Sequence, residues 1–297
     1  MNENRRAISC LVLAGLGFGL SDTLTKLNAF SLPISEVVFV RGVATTLCLF
    51  IALIVTDSLS RLQMAGRAAV IARGLFEMLG TITFIGALSH VKLAELSTLA
   101  MSSPIFLILF AIVVYKEPVG WHRWAAIVAG ILGVVCISKP DLAEFNDWTL
   151  LGVLCALSSA ARDVVTRRID PATPSLAVAL PGSLFITLFG LAFGYDVEWP
   201  TPRLDQLVFL LAAGIGHGMG IYLTVLSFRG NITLSLVSPF RYIAIVWTGL
   251  GGFLVFAEIP DIWALIGATL VIGGGLYALH REMIRNRPLS ATASSEN

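Results

Sequence analysis

Nine charged residues lie inside long apolar stretches of this 297-residue chain: Asp22, Glu36, Arg41, Arg73, Glu77, Glu95, Arg162, Asp163 and Arg241. A charge in hydrocarbon costs several kcal/mol, so such residues face a partner, the protein interior or water. Arg41 and Arg241 have no acid four residues away, and Glu36, five residues before Arg41, is a poor same-face match. An unpaired guanidinium at that depth calls for a carboxylate from another helix or from a bound solute, which its planar fork grips with two hydrogen bonds. Arg241, followed by Tyr242, is the first choice for a substrate contact. The competing reading is an ion pair between helices.

Other spacings offer different chemistry. Asp22 precedes Lys26 by four and Asp163 precedes Arg167 by four, so each pair shares a helix face. Either they are structural pairs with the basic side chain snorkelling to the interface, or Asp22 and Asp163 serve as gates. Arg73, Glu77 and Thr81 share one face. They are read as a self-neutralised pair orienting its helix, or as a cavity wall on which Glu77 carries a proton. His217 lies in Gly214-Ile-Gly-His-Gly-Met-Gly220. It is a packing residue or a further substrate contact, and its glycines fit close helix packing rather than a nucleotide loop, since no strand precedes them. Ser102-Ser103-Pro104 and Ser238-Pro239 interrupt two apolar runs. A proline frees backbone carbonyls, which are tolerated in a membrane where they line a cavity. Ser103, Trp247, Phe84 and Arg73 therefore join the candidate substrate-binding set with Arg41, Arg241, Tyr242 and His217. Glu117 and Glu258 each end an apolar run and are assigned a structural task, such as accepting hydrogen bonds from the start of the next helix. No residue spacing fits a catalytic constellation, a metal site or a cofactor site. Asn231-Ile-Thr233 matches a glycosylation acceptor on the side expected to be cytoplasmic, where the match is a coincidence.

The elements that position these residues follow from composition. Hydrophobic residues make up 56% and charged residues 13%, and mean hydropathy is +0.85. Soluble domains carry about 25% charged residues. The net charge of +1 gives no sign of a nucleic-acid partner, and none is expected. Cys10, Cys48, Cys136 and Cys155 lie in apolar runs with no ligand spacing. A spanning helix needs roughly 20 apolar residues, and ten use about 200. The apolar runs and the breakers between them give spans at 7–27, 33–56, 68–89, 92–115, 121–138, 148–167, 175–194, 205–228, 232–256 and 261–280. With the N-terminus cytoplasmic, that side holds Arg5, Arg6, Arg61, Arg67, Lys116, Arg123, Arg167, Arg168, Arg229, Arg281, Arg285 and Arg287. The opposite side holds only Lys26, Lys92, Lys139 and Arg203. The bias predicts both termini in the cytoplasm and a first helix that is not a cleaved signal.

The two halves match at a constant offset of 141 residues. Asp22, Thr25 and Lys26 fall on Asp163, Thr166 and Arg167; Pro33 falls on Pro174, Glu117 on Glu258 and Gly133 on Gly274. Five spans per half is an odd number, so the second half enters the membrane inverted. Inverted repeats are a recurrent transporter design with the substrate site between the halves. The expected organisation is 7–138 as the first repeat, 148–280 as the second, and 281–297 as a disordered cytoplasmic tail.

Ser102-Ser-Pro104, Glu117-Pro, Arg123-Trp124, Gly130 and Gly133 resemble the end of a first EamA repeat of the drug/metabolite transporter superfamily. Ser238-Pro-Phe-Arg-Tyr242, Trp247, Phe256-Ala-Glu258-Ile-Pro260 and Gly267 resemble the end of a second. Asp22 with Lys26, Glu36 to Phe39 leading to Arg41, Arg73-Gly74, Asp163 and Pro239 to Tyr242 are similar to the S-adenosylmethionine uptake group. The resemblance implies an all-α integral membrane protein of ten helices in a bacterial inner membrane, with a cavity lined by helices 1, 3, 4, 6, 8 and 9. It implies a secondary transporter, not an enzyme, moving S-adenosylmethionine, an amino acid or an amino-acid-derived carboxylate by alternating access. An exporter of di- or tricarboxylates or metallophore-like compounds is the alternative, and a non-transporting scaffold is the remaining one. The implied partners are a small-molecule substrate and the lipid bilayer; a monomer and a homodimer are both compatible.

Overall fold

The computed structural model describes residues 2–56, 59–103, 105–106, 109–110, 121–138, 147–166, 168–170, 172–227 and 238–285. Among these residues the chain is helical and contains no strand. In chain order the helices are α1 (Asn2–Ala29), α2 (Ile34–Val55), α3 (Ala68–Ala87), α4 (Leu93–Ala100), α5 (Trp121–Ser138), α6 (Thr149–Thr166), α7 (Ser175–Phe193), α8 (Leu204–Ser227), α9 (Ile243–Phe256) and α10 (Ile262–Arg285). Six of them, α1, α2, α3, α6, α7 and α8, are long and apolar enough to cross a membrane. Three shorter apolar stretches, Ile127–Ile137, Phe240–Phe256 and Ile262–Tyr277, lie in and beside α5, α9 and α10.

The helix ends follow the breakers. Pro33 and Pro174 cap α2 and α7 with extended backbone, at φ −56° and −58°. A proline there gives up an amide that has no helical acceptor anyway. The expected interruptions appear where serine meets proline. Regular helix stops at Ala100 and the chain turns through Met101 and Ser102, whose hydroxyl bonds back to Leu99 O at 2.6 Å. Ser238–Tyr242 is a 3-10 turn that leads into α9. Pro104, Glu117, Arg167 and Asn231 lie outside the described residues. α10 runs on to Arg285, into the segment expected to be tail, because Glu282, Met283 and Arg285 are helix formers.

Nearly all the extensive helix contacts join one half of the chain to the other. α1 packs on α8 and α9, α2 on α7 and α8, α3 on α6 and α7, α4 on α6 and α9, and α5 on α10. Helices of the same half touch each other little. Among the described residues the apolar clusters draw on both halves. The cluster built on Val38, Ile85, Leu88 and Leu93 also takes Ile186, and that built on Leu49 and Leu53 also takes Leu176 and Ala177.

Small residues let the backbones approach. In α8, Gly214 and Gly218 face α2 while Gly216 and Gly220 face α1. A Cβ on Gly214 would lie 2.5 Å from Arg41 O, and one on Gly17 would lie 2.7 Å from Gly216 O. The four glycines thus wedge α8 between α1 and α2, the close packing expected of small residues in membrane helices. Outside the bundle, Arg67 at the start of α3 pairs with Asp170 at 2.9 Å. The Asp170 carboxyl is held below its usual range, first by the Ala172 amide and then by the Arg67 hydrogen bond.

Because the halves share one core, residues 1–146 or 147–297 expressed alone will give protein that aggregates on detergent extraction. Co-expression of both will restore a monodisperse species by size exclusion. Gly17→Val will lower the thermal midpoint in detergent, by an overpacking cost of about 1–3 kcal/mol. Gly273→Ala, where a Cβ meets nothing within 4 Å, will leave the midpoint unchanged or raised.

Candidate functional site

α2, α3, α7 and α8 enclose a crevice between the halves. Its polar wall comprises Arg41 and Thr45 from α2, Glu77 and Thr81 from α3, Ser183 from α7 and His217 from α8. Val38, Ile85, Ile186 and Ile221 supply the apolar wall. The crevice is narrow, with room for little more than a water molecule.

Arg41 is 4% exposed. The short Gly214 contact brings α8 against α2, so Arg41 Nη2 donates to His217 Nδ1 at 2.9 Å. Accepting there leaves the His217 ring hydrogen on Nε2. Nε of Arg41 donates to Ser21 Oγ at 3.3 Å, and the nearest carboxylate oxygen, Asp22 Oδ1, stands at 3.7 Å. Among the described residues Arg41 makes no closer ionic contact. Phe18 packs edge-on against His217, with ring centroids 5.4 Å apart. Thr45 bonds to Arg41 O and Gly214 O, both at 3.0 Å, tying α2 to α8 at the same level.

A second network closes the other side. Arg73 pairs with Glu77 at 2.9 Å, and Arg162 reaches the other Glu77 oxygen at 3.3 Å. Arg162 also holds Asp163 Oδ1 at 3.0 Å. Two guanidiniums and two carboxylates thus neutralise one another between α3 and α6. Gly182 makes room for Glu77, since a Cβ there would lie 3.0 Å from the Glu77 side chain. Arg73 Nη1 donates to Val178 O at 3.2 Å, beside Ala177, whose carbonyl Pro181 leaves without its helical donor.

Several expectations change. Asp22 and Lys26 do not pair: Asp22 turns to Arg41, and Lys26 extends to Glu258 at 2.5 Å. The long lysine side chain reaches a partner beyond its own helix. Asp163 pairs with its neighbour Arg162. Arg41 is not without partners, as they come from α1 and α8. Glu258 does not serve the start of α10. Asp261 caps that helix through the Ala264 amide, and Glu258 accepts from the Leu93 amide at the start of α4, at 2.7 Å. The expected Arg73–Glu77 pair is present.

The candidate residues fall into separate places. Arg41, Glu77 and His217 line the crevice, with Arg73, Asp22 and Asp163 behind them. Arg241, Tyr242, Trp247 and Ser103 do not line it. The Tyr242 hydroxyl lies against Gly275 of α10, and Trp247 packs over Gly15 and Gly19 of α1. Ser103 is buried just beyond α4. Phe84 packs into the core beside Ile85 and Leu88. The crevice walls are α2, α3, α7 and α8, whereas the resemblance implied helices 1, 3, 4, 6, 8 and 9; α1 and α6 stand behind the walls and supply partners. Thr45 and Ser183 were not singled out in the sequence, because a hydroxyl in a membrane helix bonds its own backbone and gives no spacing signal. Ser183 does so to Leu180 O at 2.9 Å.

Known proteins bear on this arrangement. The EamA-like transporter family matches residues 5–139 and again 147–279. The S-adenosylmethionine uptake transporter of Rickettsia bellii is 23% identical over 93% of this chain and 94% of its own length. The pseudopaline exporter of Pseudomonas aeruginosa is 26% identical over 88% and 91%. The riboflavin transporter of Rhizobium johnstonii is 27% identical over 93% and 92%. One crystal structure shares the fold with a TM-score of 0.64 at 20% identity, covering 93% of this chain and 98% of the other. With the family matched in both halves around a charged interior, the chain belongs to the EamA-like transporter family and is a multi-pass membrane transporter, not an enzyme.

Proposed function

We propose that this transporter carries a small zwitterion or organic anion by alternating access, with Arg41 as the anchor for a substrate carboxylate. The observation that carries this is a buried guanidinium on the crevice wall whose two hydrogen-bond partners, His217 and Ser21, are neutral acceptors, while its nearest carboxylate is 3.7 Å away. A bound carboxylate is a better partner than either, and displaces His217 from Arg41. The Glu77 network is already neutralised, so Glu77 stands on the opposite wall with Arg73 and Asp163 behind it, and the three contribute proton coupling only if the network opens. S-adenosylmethionine bears an α-amino carboxylate, which suits this chemistry, and one relative is named for its uptake. The second reading, export of a di- or tricarboxylate or a metallophore-like compound, is supported by a relative named as an exporter, of pseudopaline.

An inverted repeat accounts for the cross-half contacts. Matching α1–α5 to α6–α10 maps α1 on α8 to α6 on α3, and α2 on α8 to α7 on α3, so the contacts repeat. Thr46 and Thr187 are equivalent at the 141-residue offset, and their hydroxyls meet at 3.3 Å. Both termini are then cytoplasmic in a bacterial inner membrane, by the charge bias of the loops. The narrow crevice requires the halves to part before a metabolite enters.

Purified protein in liposomes will show counterflow with S-adenosylmethionine, an amino acid, or a di- or tricarboxylate; no flux with any of them ends this reading. Arg41→Gln will cut that flux by at least ~30-fold, the loss expected for one charge-assisted contact. The variant will remain monodisperse. Arg241→Ala will cut flux less than Arg41→Gln; the reverse order moves the anchor to Arg241.

A further inference from the structure

At the end of the bundle where α1 stops, four segments are clasped by two side chains. Lys26 is 3% exposed, and its Nζ donates to Val91 O in the α3–α4 turn at 2.6 Å and to Glu258 Oε1 at 2.5 Å. Glu258 Oε2 accepts from the Leu93 amide at 2.7 Å, so both carboxylate oxygens are used. The Phe256 ring lies 5.4 Å from Lys26 Nζ. The chain is shaped to deliver this carboxylate. Ala257 takes φ 53°, a left-handed conformation that non-glycine residues rarely hold, and turns Glu258 back under α9. Gly252 leaves space for it, since a Cβ there would lie 2.9 Å from Glu258 Oε2. Around the clasp, Lys92 Nζ donates to Ile259 O at 2.8 Å, Trp199 Nε1 to Ser35 Oγ at 3.1 Å, and His90 stacks on Trp148 at 3.8 Å.

We infer that Lys26 and Glu258 are gate residues that close the crevice towards this end of the bundle, a role resting on the transport reading above. The clasp lies one helical turn beyond Asp22, about 6 Å along α1. Asp22 stands beside Arg41, so one helix connects the crevice to the clasp. The pair joins α1 of the first half to the end of α9 in the second, the two halves whose separation opens the crevice. The pair is buried while the halves are together, and parting them returns both charges to water, which replaces the partner each has lost. That suits a contact made and broken in every cycle. The sequence repeats both members: at the 141-residue offset Lys26 corresponds to Arg167 and Glu258 to Glu117.

The test reads access and needs no substrate. In a variant with its four cysteines replaced, Ser183→Cys is placed in the crevice wall. It is labelled with a membrane-impermeant maleimide in right-side-out and in inside-out vesicles. Glu258→Gln, which keeps an acceptor for the Leu93 amide, and Lys26→Met will each raise labelling from one side by roughly tenfold or more without raising it from the other. Lys26→Arg will label like the parent. Labelling unchanged from both sides overturns the gate. Labelling raised equally from both sides also overturns it, because that is the mark of a loosened fold. Absence of flux in liposomes, by contrast, would remove the transport reading and leave the access result as measured.

Discussion

A charge taken out of water must be met by another polar group, and in this protein three such meetings join opposite halves of the chain. Arg41 of α2 meets His217 of α8, Arg162 of α6 meets Glu77 of α3, and Lys26 of α1 meets Glu258 after α9. Lipid chains are as apolar as leucine, so helices in a bilayer gain little from apolar burial alone and associate through packing and polar contacts. These cross-half contacts therefore both satisfy buried charges and help fasten the halves.

Those contacts require close backbones. His217 reaches Arg41 because Gly214 admits α2, and Glu77 enters the crevice because Gly182 has no side chain in its way. Gly214 belongs to the glycine run read from the sequence as close helix packing, and it is a steric condition for the Arg41–His217 contact. Thr45 shows the two effects in one residue: its hydroxyl is bonded within α2 and to Gly214 O, at the point where the helices touch.

The span pattern was legible because each helix satisfies its own backbone, so hydrophobic run length and breakers decide it locally. The boundaries of α2, α3, α5, α6, α7 and α8 fall within two residues of those read from the sequence. The Arg73–Glu77 pair was legible for the same reason, being set by one helix's own geometry. The partners of Arg41, Lys26 and Glu258 were not. A four-residue spacing describes a single helix face, and each of these side chains finds its partner on another element, 19 to 232 residues away in sequence. Arg241 stood out in sequence because it has no acid nearby, but so does Arg41, and only the packing of α8 on α2 separates them.

The crevice also bears on how a transport cycle is driven. Every charge around it has a partner contributed by this chain, yet the partners differ in quality. Glu77 is held by two guanidiniums, whereas Arg41 has a neutral imidazole, a neutral hydroxyl and a distant carboxylate. On the proposed reading, a substrate carboxylate gains most where the resident partner is weakest, so binding energy concentrates at Arg41 and acts on the α2–α8 contact. That contact joins the two halves, and Asp22 links it through α1 to Lys26. On the proposed cycle, the site that reads the substrate and the clasp at the end of the bundle are therefore parts of one helix–helix interface, and substrate binding bears on both.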